Sequence, residues 1–469
     1  MCVQLLNTTK ILKGNEPQGE IPSNRDVFKT VLRVAWPSVL ESFLVSLVGV
    51  VDTIMVSSLG EEAIAAVGLT NQPKFIGLCF FLSLNIAVSA LVARRKGEED
   101  NAGATQVLRM ALVITLVAAA IISVAFVFLA GDIIWLAGAQ PETHDDATGY
   151  LQIIMGGMVF NVVSLVINAA QRGCGNTRIS MKTNVTSNVV NLFFNYLLIE
   201  GHFGFPRLGV RGAAIATVIG TVVACGMSIA SLCGQHTYIH FSNLLKVTRK
   251  NLFNARNLRS MSDVGLSAFI EQVFLRIGFF TFTLIVANLG TTALASHQIG
   301  MNLLNISFSI GDGLQVAAIA LVGQSLGRQR QDMARIYGSA CQRVGLLCAV
   351  VVSACYLIFG RQIYMLFSDD PMVLDYGVQI MRIVSLILFF QIPQVIFGGS
   401  LRGAGDTKYT AMVSLLSVTF ARPLLSWILC YPLGVGLIGA WFGVFLDQFL
   451  RFTFFWQRFR KGKWTQIKL

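Results

Sequence analysis

The chain has 469 residues, of which 54% are hydrophobic and only 13% charged, with a formal net charge of +12. A water-soluble domain usually carries about 25% charged residues, so a soluble globular fold is excluded. The five histidines show no HExxH or similar ligand spacing and no Walker-type glycine loop is present, which argues against a metal enzyme and against ATP as a direct energy source.

The first 32 residues hold no apolar stretch resembling a signal peptide and read as a cytosolic tail. Apolar runs of about 20 residues are long enough to cross a bilayer. Twelve follow, at roughly 34–58, 63–92, 107–130, 148–171, 184–200, 212–233, 263–288, 293–324, 338–359, 376–400, 410–430 and 438–457. The expected fold is therefore an all-α integral membrane protein with twelve spans. They group as a first six-helix bundle over 33–233 and a second over 263–457. A basic linker over 234–262 joins the bundles, and a basic tail over 458–469 ends the chain. The second and eighth runs exceed the bilayer, so each either projects beyond it or is broken inside it. Gln72-Pro73 suggests a kink in the second.

With both termini placed in the cytosol, inner segments hold 26 Lys and Arg and outer loops three, Arg207, Arg211 and Arg361. This is the positive-inside asymmetry. The basic excess thus sets orientation in a plasma (inner) membrane and implies lipid, not nucleic acid, as the surrounding partner. The nine cysteines are scattered. Cys341, Cys348 and Cys355 recur every seven residues, as a stripe of small apolar side chains would.

A charge at mid-bilayer costs about 2.5–3.5 kcal/mol on insertion scales, so each buried polar group needs a reason. The first span carries Glu41 and Asp52, eleven residues apart and so on nearly one helical face, roughly 16 Å apart along the axis. Either can bind a proton or cation, or pair with a neighbouring base or amide. The fifth span carries Asn184, Asn188, Asn191 and Asn195, spaced four, three and four, a stripe of amides on one face. Asn191 and Asn195 are read as partners of Asp52, with Thr217 of the sixth span as a further hydroxyl. Beyond the linker, Glu271 and Arg276 lie on the seventh span, and His297 and Asp312 on the eighth. Arg422 precedes Pro423 inside the eleventh, where it needs a carboxylate, with Glu271 or Asp312 as candidates. His297 reads first as a packing residue and second as a group titrating near neutral pH. Lys74 reads as a kink or surface residue, and Asp447 with Arg451, four apart, as a structural ion pair.

The chain also repeats itself at a constant offset of 230. Arg172-Gly173-Cys174-Gly175-Asn176-Thr177 recurs as Arg402-Gly403-Ala404-Gly405-Asp406-Thr407. Leu59-Gly60 recurs as Leu289-Gly290, Leu91-Val92 as Leu321-Val322, Gly97 as Gly327 and Glu41 as Glu271. With six spans per copy the repeats are parallel, an arrangement found in transporters. The copies differ in chemistry, since Asp52 corresponds to Phe282 and Asn195 to Leu425.

Pro37, Val51-Asp52-Thr53-Ile54-Met55 and Leu59-Gly60 resemble the first helix of the multidrug and toxic compound extrusion (MATE) transporters, in the bacterial NorM/DinF-like branch. The two RGxGxT copies, Ala295-Ser296-His297-Gln298, Leu321-Val322-Gly323-Gln324 and the tail from Asp447 through Trp464 fit the same family. The resemblance covers nearly the whole chain, and its strength lies in the order and spacing of the motifs. It implies a two-lobe exporter of cationic amphiphilic compounds in exchange for H+ or Na+, functional as a monomer, with no other cofactor. It matches Asp52, Asn191, Asn195 and Thr217 to the family's residues for cation or proton coupling, and the reading of the buried polar groups adds Glu41, Asn188, His297 and Arg422 as secondary candidates. It matches Glu271 to the seventh-helix glutamate of NorM-like members. Gln391, however, stands where those members have a tenth-helix aspartate, which puts a second-lobe cation or substrate site of Glu271, Gln391 and Asp312 in question. The rival expectation from the same broader superfamily is a flippase for lipid-linked saccharides, which would need a larger and more basic cleft. An integral-membrane enzyme would need a clustered metal or nucleophile constellation, which the sequence does not show.

Overall fold

The computed structural model describes residues 17–234, 237–246, 255–368 and 370–467, and the linker expected over 234–262 lies partly outside them. The first repeat comprises α1 (Asn24–Ser57), α2 (Glu61–Gly97), α3 (Asn101–Phe128), α4 (Ala130–Leu136), α5 (Pro141–Gly156), α6 (Met158–Gly173), α7 (Thr177–Leu198) and α8 (Gly209–Ser231), and a short α9 (Phe241–Lys246) follows. The second comprises α10 (Ala255–Ala287), α11 (Thr291–Gly327), α12 (Gln331–Met365), α13 (Pro371–Gly403), α14 (Thr407–Ser414), α15 (Arg422–Cys430) and α16 (Leu437–Lys461). Among the described residues no strand occurs.

Among the described residues ten helical stretches are long and apolar enough to cross a membrane, and α5 with α6 forms an eleventh bent by 46°. The bend falls at Gly156-Gly157, where a Cβ on Gly157 would lie 2.6 Å from the Val218 side chain, so α8 packs against the break. The helix α7 has 22 residues and carries the amide stripe, which lowers its hydropathy. Both long apolar runs are single 37-residue helices, α2 and α11, each about 55 Å long at 1.5 Å per residue. They outreach a hydrocarbon core of about 30 Å, and Pro73 sits inside α2 without ending it.

The backbone repeats as faithfully as the motifs. Gly60 and Gly290 open α2 and α11 with φ of 108° and 104°, and Glu99 and Gln329 share a φ of 58° in the turns that follow those helices. In the RGxGxT copies the first glycine lets two backbones approach. A Cβ on Gly173 would lie 2.6 Å from the Ser89 carbonyl oxygen, and one on Gly403 would lie 2.6 Å from that of Ile319. The second glycine, at φ of 77° in Gly175 and 88° in Gly405, takes a left-handed turn that other residues enter at a cost. The motif is thus a packing and turn device.

The chain divides into two compact units. One is Phe43–Gly265, called here the N-unit. The other, the C-unit, joins the chain up to Ser42 to the chain from Leu266 onward. The boundary runs through α1 and α10, not between helices. Val27, Val31, Val34 and Ala35 at the start of α1 are buried in one cluster with Leu314, Ala318, Ile336 and Ile396 of the C-unit. Ahead of α1, the Gln18 backbone N–H donates to Asp332 at 3.2 Å, and Arg330 donates to both Asp332 and the Glu20 carbonyl. Hydrophobic burial and these polar contacts together fasten the beginning of the chain to its second repeat.

Candidate functional site

In the N-unit, α7 and α8 lie close because glycines remove the side chains between them. A Cβ on Gly212 would stand 2.5 Å from the Leu198 carbonyl oxygen, and one on Gly220 would stand 2.8 Å from that of Ser187 and 3.2 Å from the Asn191 Cβ. Thr217 lies between those glycines, which brings its hydroxyl to the amide stripe of α7. The Ser187 hydroxyl closes one end by donating to the Gly220 carbonyl at 2.7 Å.

Asp52 of α1 completes the cluster. Asn195 Nδ2 donates to Asp52 Oδ1 at 2.7 Å. With its nitrogen turned to the carboxylate, the Asn191 amide donates to both Asp52 oxygens, at 3.0 and 3.3 Å, and its oxygen accepts from the Thr217 hydroxyl at 3.2 Å. That orientation satisfies both ends of the amide, and the network alone distinguishes its nitrogen from its oxygen. Asn191 and Asn195 are buried, and Asp52 and Thr217 half-buried. The carboxylate therefore faces N–H donors only, the arrangement that suits its ionised form. Asn195 Oδ1 is buried with no hydrogen-bond partner.

The four residues read together from the sequence meet in one place. Asn188 is half-buried, with an amide nitrogen that finds no partner. Two further groups were not foreseen as part of this cluster. Lys74 of α2 is half-buried, not a surface residue, and its ammonium lies within electrostatic range of Asp52, as does the Tyr150 hydroxyl of α5. The signal that could have found Lys74 is a lone lysine amid a long apolar run. Glu41 is buried at 5% exposure but falls in the C-unit, so the two acids of α1 belong to different units.

The C-unit arranges its charges differently. Glu271, 1% exposed, accepts from Arg402 Nη2 at 2.6 Å and from the Ser414 hydroxyl at 2.8 Å. Arg402 Nη1 donates to Gln315 at 2.9 Å, and the Gln315 amide donates to Asp312 at 3.5 Å. The acid expected to hold a cation or substrate is thus matched by the arginine of the second RGxGxT copy. Gln391 is buried, and its Oε1 has no hydrogen-bond partner. Hydrogen bonds link Glu271 to Asp312 through Arg402 and Gln315, with Gln391 outside that chain of contacts.

Arg422 pairs with neither Glu271 nor Asp312, the carboxylates expected for it. It donates to Asp447 through Nε at 3.1 Å and Nη2 at 2.5 Å. Arg451 donates to the same Asp447 oxygen at 3.0 Å, so the expected Asp447–Arg451 pair exists within a larger triad. The reason lies in α14–α15: Pro423 has no N–H, and the preceding turn opens into a π-helix over Leu415–Ala421. That wide turn also brings Ser417 within hydrogen-bond reach of Asp447. His297, 2% exposed, lies between the Phe282 and Trp441 rings at 5.3 and 5.6 Å. Among the described residues no group of three or more His, Cys, Asp or Glu could hold a metal.

Two parallel repeats of membrane-crossing helices, with a carboxylate and amides buried in one of them, have the architecture of a polytopic transporter. The profile of the MatE family matches residues 37–197 and again 267–428, and the chain belongs to that family. The two matches begin 230 residues apart, the offset of the repeat. The chain is 28% identical over 461 residues to a probable multidrug resistance protein NorM of Thermotoga maritima, covering 97% of this chain and 96% of that one. It is also 28% identical to the multidrug resistance protein MdtK of Edwardsiella ictaluri, with 87% and 86% covered. A solved outward-facing multidrug resistance MATE family transporter superposes with a TM-score of 0.86 at 20% identity, over 98% of this chain and 99% of that one, and shares the fold. The protein is a multi-pass membrane transporter and not an enzyme.

Proposed function

We propose that the protein is a secondary antiporter that exports cationic amphiphilic compounds in exchange for H+ or Na+ by alternating access. The observation that carries this reading is the Asp52 carboxylate, held by Asn195 at 2.7 Å and Asn191 at 3.0 Å inside a membrane-spanning bundle. A charge in that position is costly and calls for a function. The names of the relatives, multidrug resistance proteins, support the substrate class.

The chemistry follows from the donors. The two amides offer N–H groups to both Asp52 oxygens. A proton or a sodium ion brings positive charge to the carboxylate, and a sodium ion also seeks oxygen ligands. The amides can answer by turning, since Asn195 Oδ1 has no other partner to give up. Once Asp52 is neutralised, the charge of Lys74 is no longer balanced, and a cationic substrate is repelled. Substrate and ion then oppose each other's binding by the same coupling energy, which is what exchange requires. Orientation follows the positive-inside asymmetry, with both termini cytosolic and the protein in the plasma (inner) membrane as a monomer.

The test is uptake of a fluorescent organic cation into everted vesicles under a proton gradient or a sodium gradient imposed separately. Uptake driven by one of them names the ion. Uptake under neither, with folded protein present, overturns antiport of this substrate class, and a lipid-linked saccharide flippase becomes the reading to test.

A further inference from the structure

The repeat allows groups of the Asp52 cluster to be followed to their counterparts. Asp52 corresponds to Phe282 and Asn191 to Ala421, while Asp447 corresponds to Gly220, since Ser187 donates to the Gly220 carbonyl as Ser417 does to that of Asp447. The second repeat therefore carries a carboxylate one turn from the Thr217 station, on its last helix, at a position that borders Asn191 in the first repeat. Its surroundings are reversed. Arg422, adjacent to the counterpart of Asn191, grips Asp447 through two nitrogens, and Arg451 adds a third contact at 3.0 Å. Ser417 supplies a hydroxyl to Oδ1. Three of these contacts fall on Oδ2 and one on Oδ1. Arg422 also lies over the Phe279 and Phe282 rings, at 4.8 and 5.8 Å from their centroids, so the residue that replaces Asp52 supports a cation instead of attracting one. Asp447 is 0% exposed and Arg422 2% exposed.

We propose that Arg422 is a tethered cation that permanently fills, in the second repeat, the position equivalent to the coupling site, so that each transport cycle moves one coupling ion, through Asp52 alone. This rests on the reading of Asp52 as the coupling residue. Two guanidiniums on one carboxylate leave an excess of positive charge. A free sodium ion or proton approaching Asp447 meets the two guanidiniums and net repulsion. The pair formed by Glu271 and Arg402 closes the neighbouring acid of the same unit in the same way. The second repeat thus keeps its buried carboxylates on guanidinium partners.

The experiment is the reversal potential of ethidium transport in proteoliposomes, with proton and sodium gradients varied independently. The expected ratio is one coupling ion per ethidium, falling to none in Asp52→Asn and staying at one in Asp447→Asn. A ratio of two in the wild type, or a residual ratio of one in Asp52→Asn, overturns the proposal while leaving ion-coupled export intact. No dependence on either gradient in the wild type overturns the antiport reading and the proposal with it. If Asp447→Asn fails to fold, the wild type and Asp52→Asn ratios decide the question.

Discussion

The two repeats share glycine torsions at their matched turns and oppose each other in buried charge. In the N-unit one carboxylate is met by neutral amides, so its charge is available. In the C-unit Glu271 and Asp447 are each met by guanidinium, so theirs is spent internally. A duplicated scaffold can therefore hold a responsive half and a fixed half with few changes. Phe282 in place of Asp52, and Arg422 and Asp447 introduced nearby, account for most of the difference.

The largest expected effect that would break this comparison is in the N-unit. Asp52→Asn should reduce gradient-driven export at least 100-fold while the protein reaches the membrane in normal amounts, as read by vesicle uptake against immunoblot. Normal export by that variant would remove the functional half of the contrast. In the C-unit the same kind of change should act on stability. Arg422→Met and Glu271→Gln each break a buried ion pair, a loss of about 3–5 kcal/mol. Both should lower the melting midpoint in detergent, and neither should change which ion drives transport. If Glu271→Gln switched or abolished ion dependence without a fall in midpoint, the C-unit would be responsive too.

Smaller effects sharpen the picture. Gly173→Ala and Gly403→Ala should cost similar amounts, about 1–3 kcal/mol each, because both push a Cβ into a carbonyl oxygen across the same helix contact. A large difference between them in thermal unfolding would show that the two scaffolds are not equivalent under load. Lys74→Met should leave folding intact and shift the pH or sodium concentration for half-maximal export a few-fold, about 1 kcal/mol of interaction with Asp52. Gln391→Leu should change stability and export least of all, since the side-chain oxygen makes no hydrogen bond.

Much of this was legible in the sequence because it is local or periodic. The spans follow from hydropathy, the repeat from a constant offset, and the Asn191–Asn195 face from a spacing of four on a helix. The Asp447–Arg451 pair was visible for the same reason. What escaped was set by neighbours between helices. Arg422 needed an acid, but only the π-helical turn before Pro423 decides that the acid is Asp447 and not Glu271 or Asp312. Lys74 shows no partner along its own helix, and its relation to Asp52 exists only once α1 and α2 are placed together. The division of α1 between units was likewise invisible, because its apolar residues look alike on both sides of Ser42.

The account's central claim is that the buried carboxylate of the N-unit converts an ion gradient into substrate movement. The most direct measurement compares two activities of purified Asp52→Asn in proteoliposomes: exchange of labelled substrate at equilibrium, and accumulation of substrate against its gradient. The account predicts that exchange continues while accumulation disappears, because the path remains and the coupling does not. Accumulation at the wild type level would contradict it.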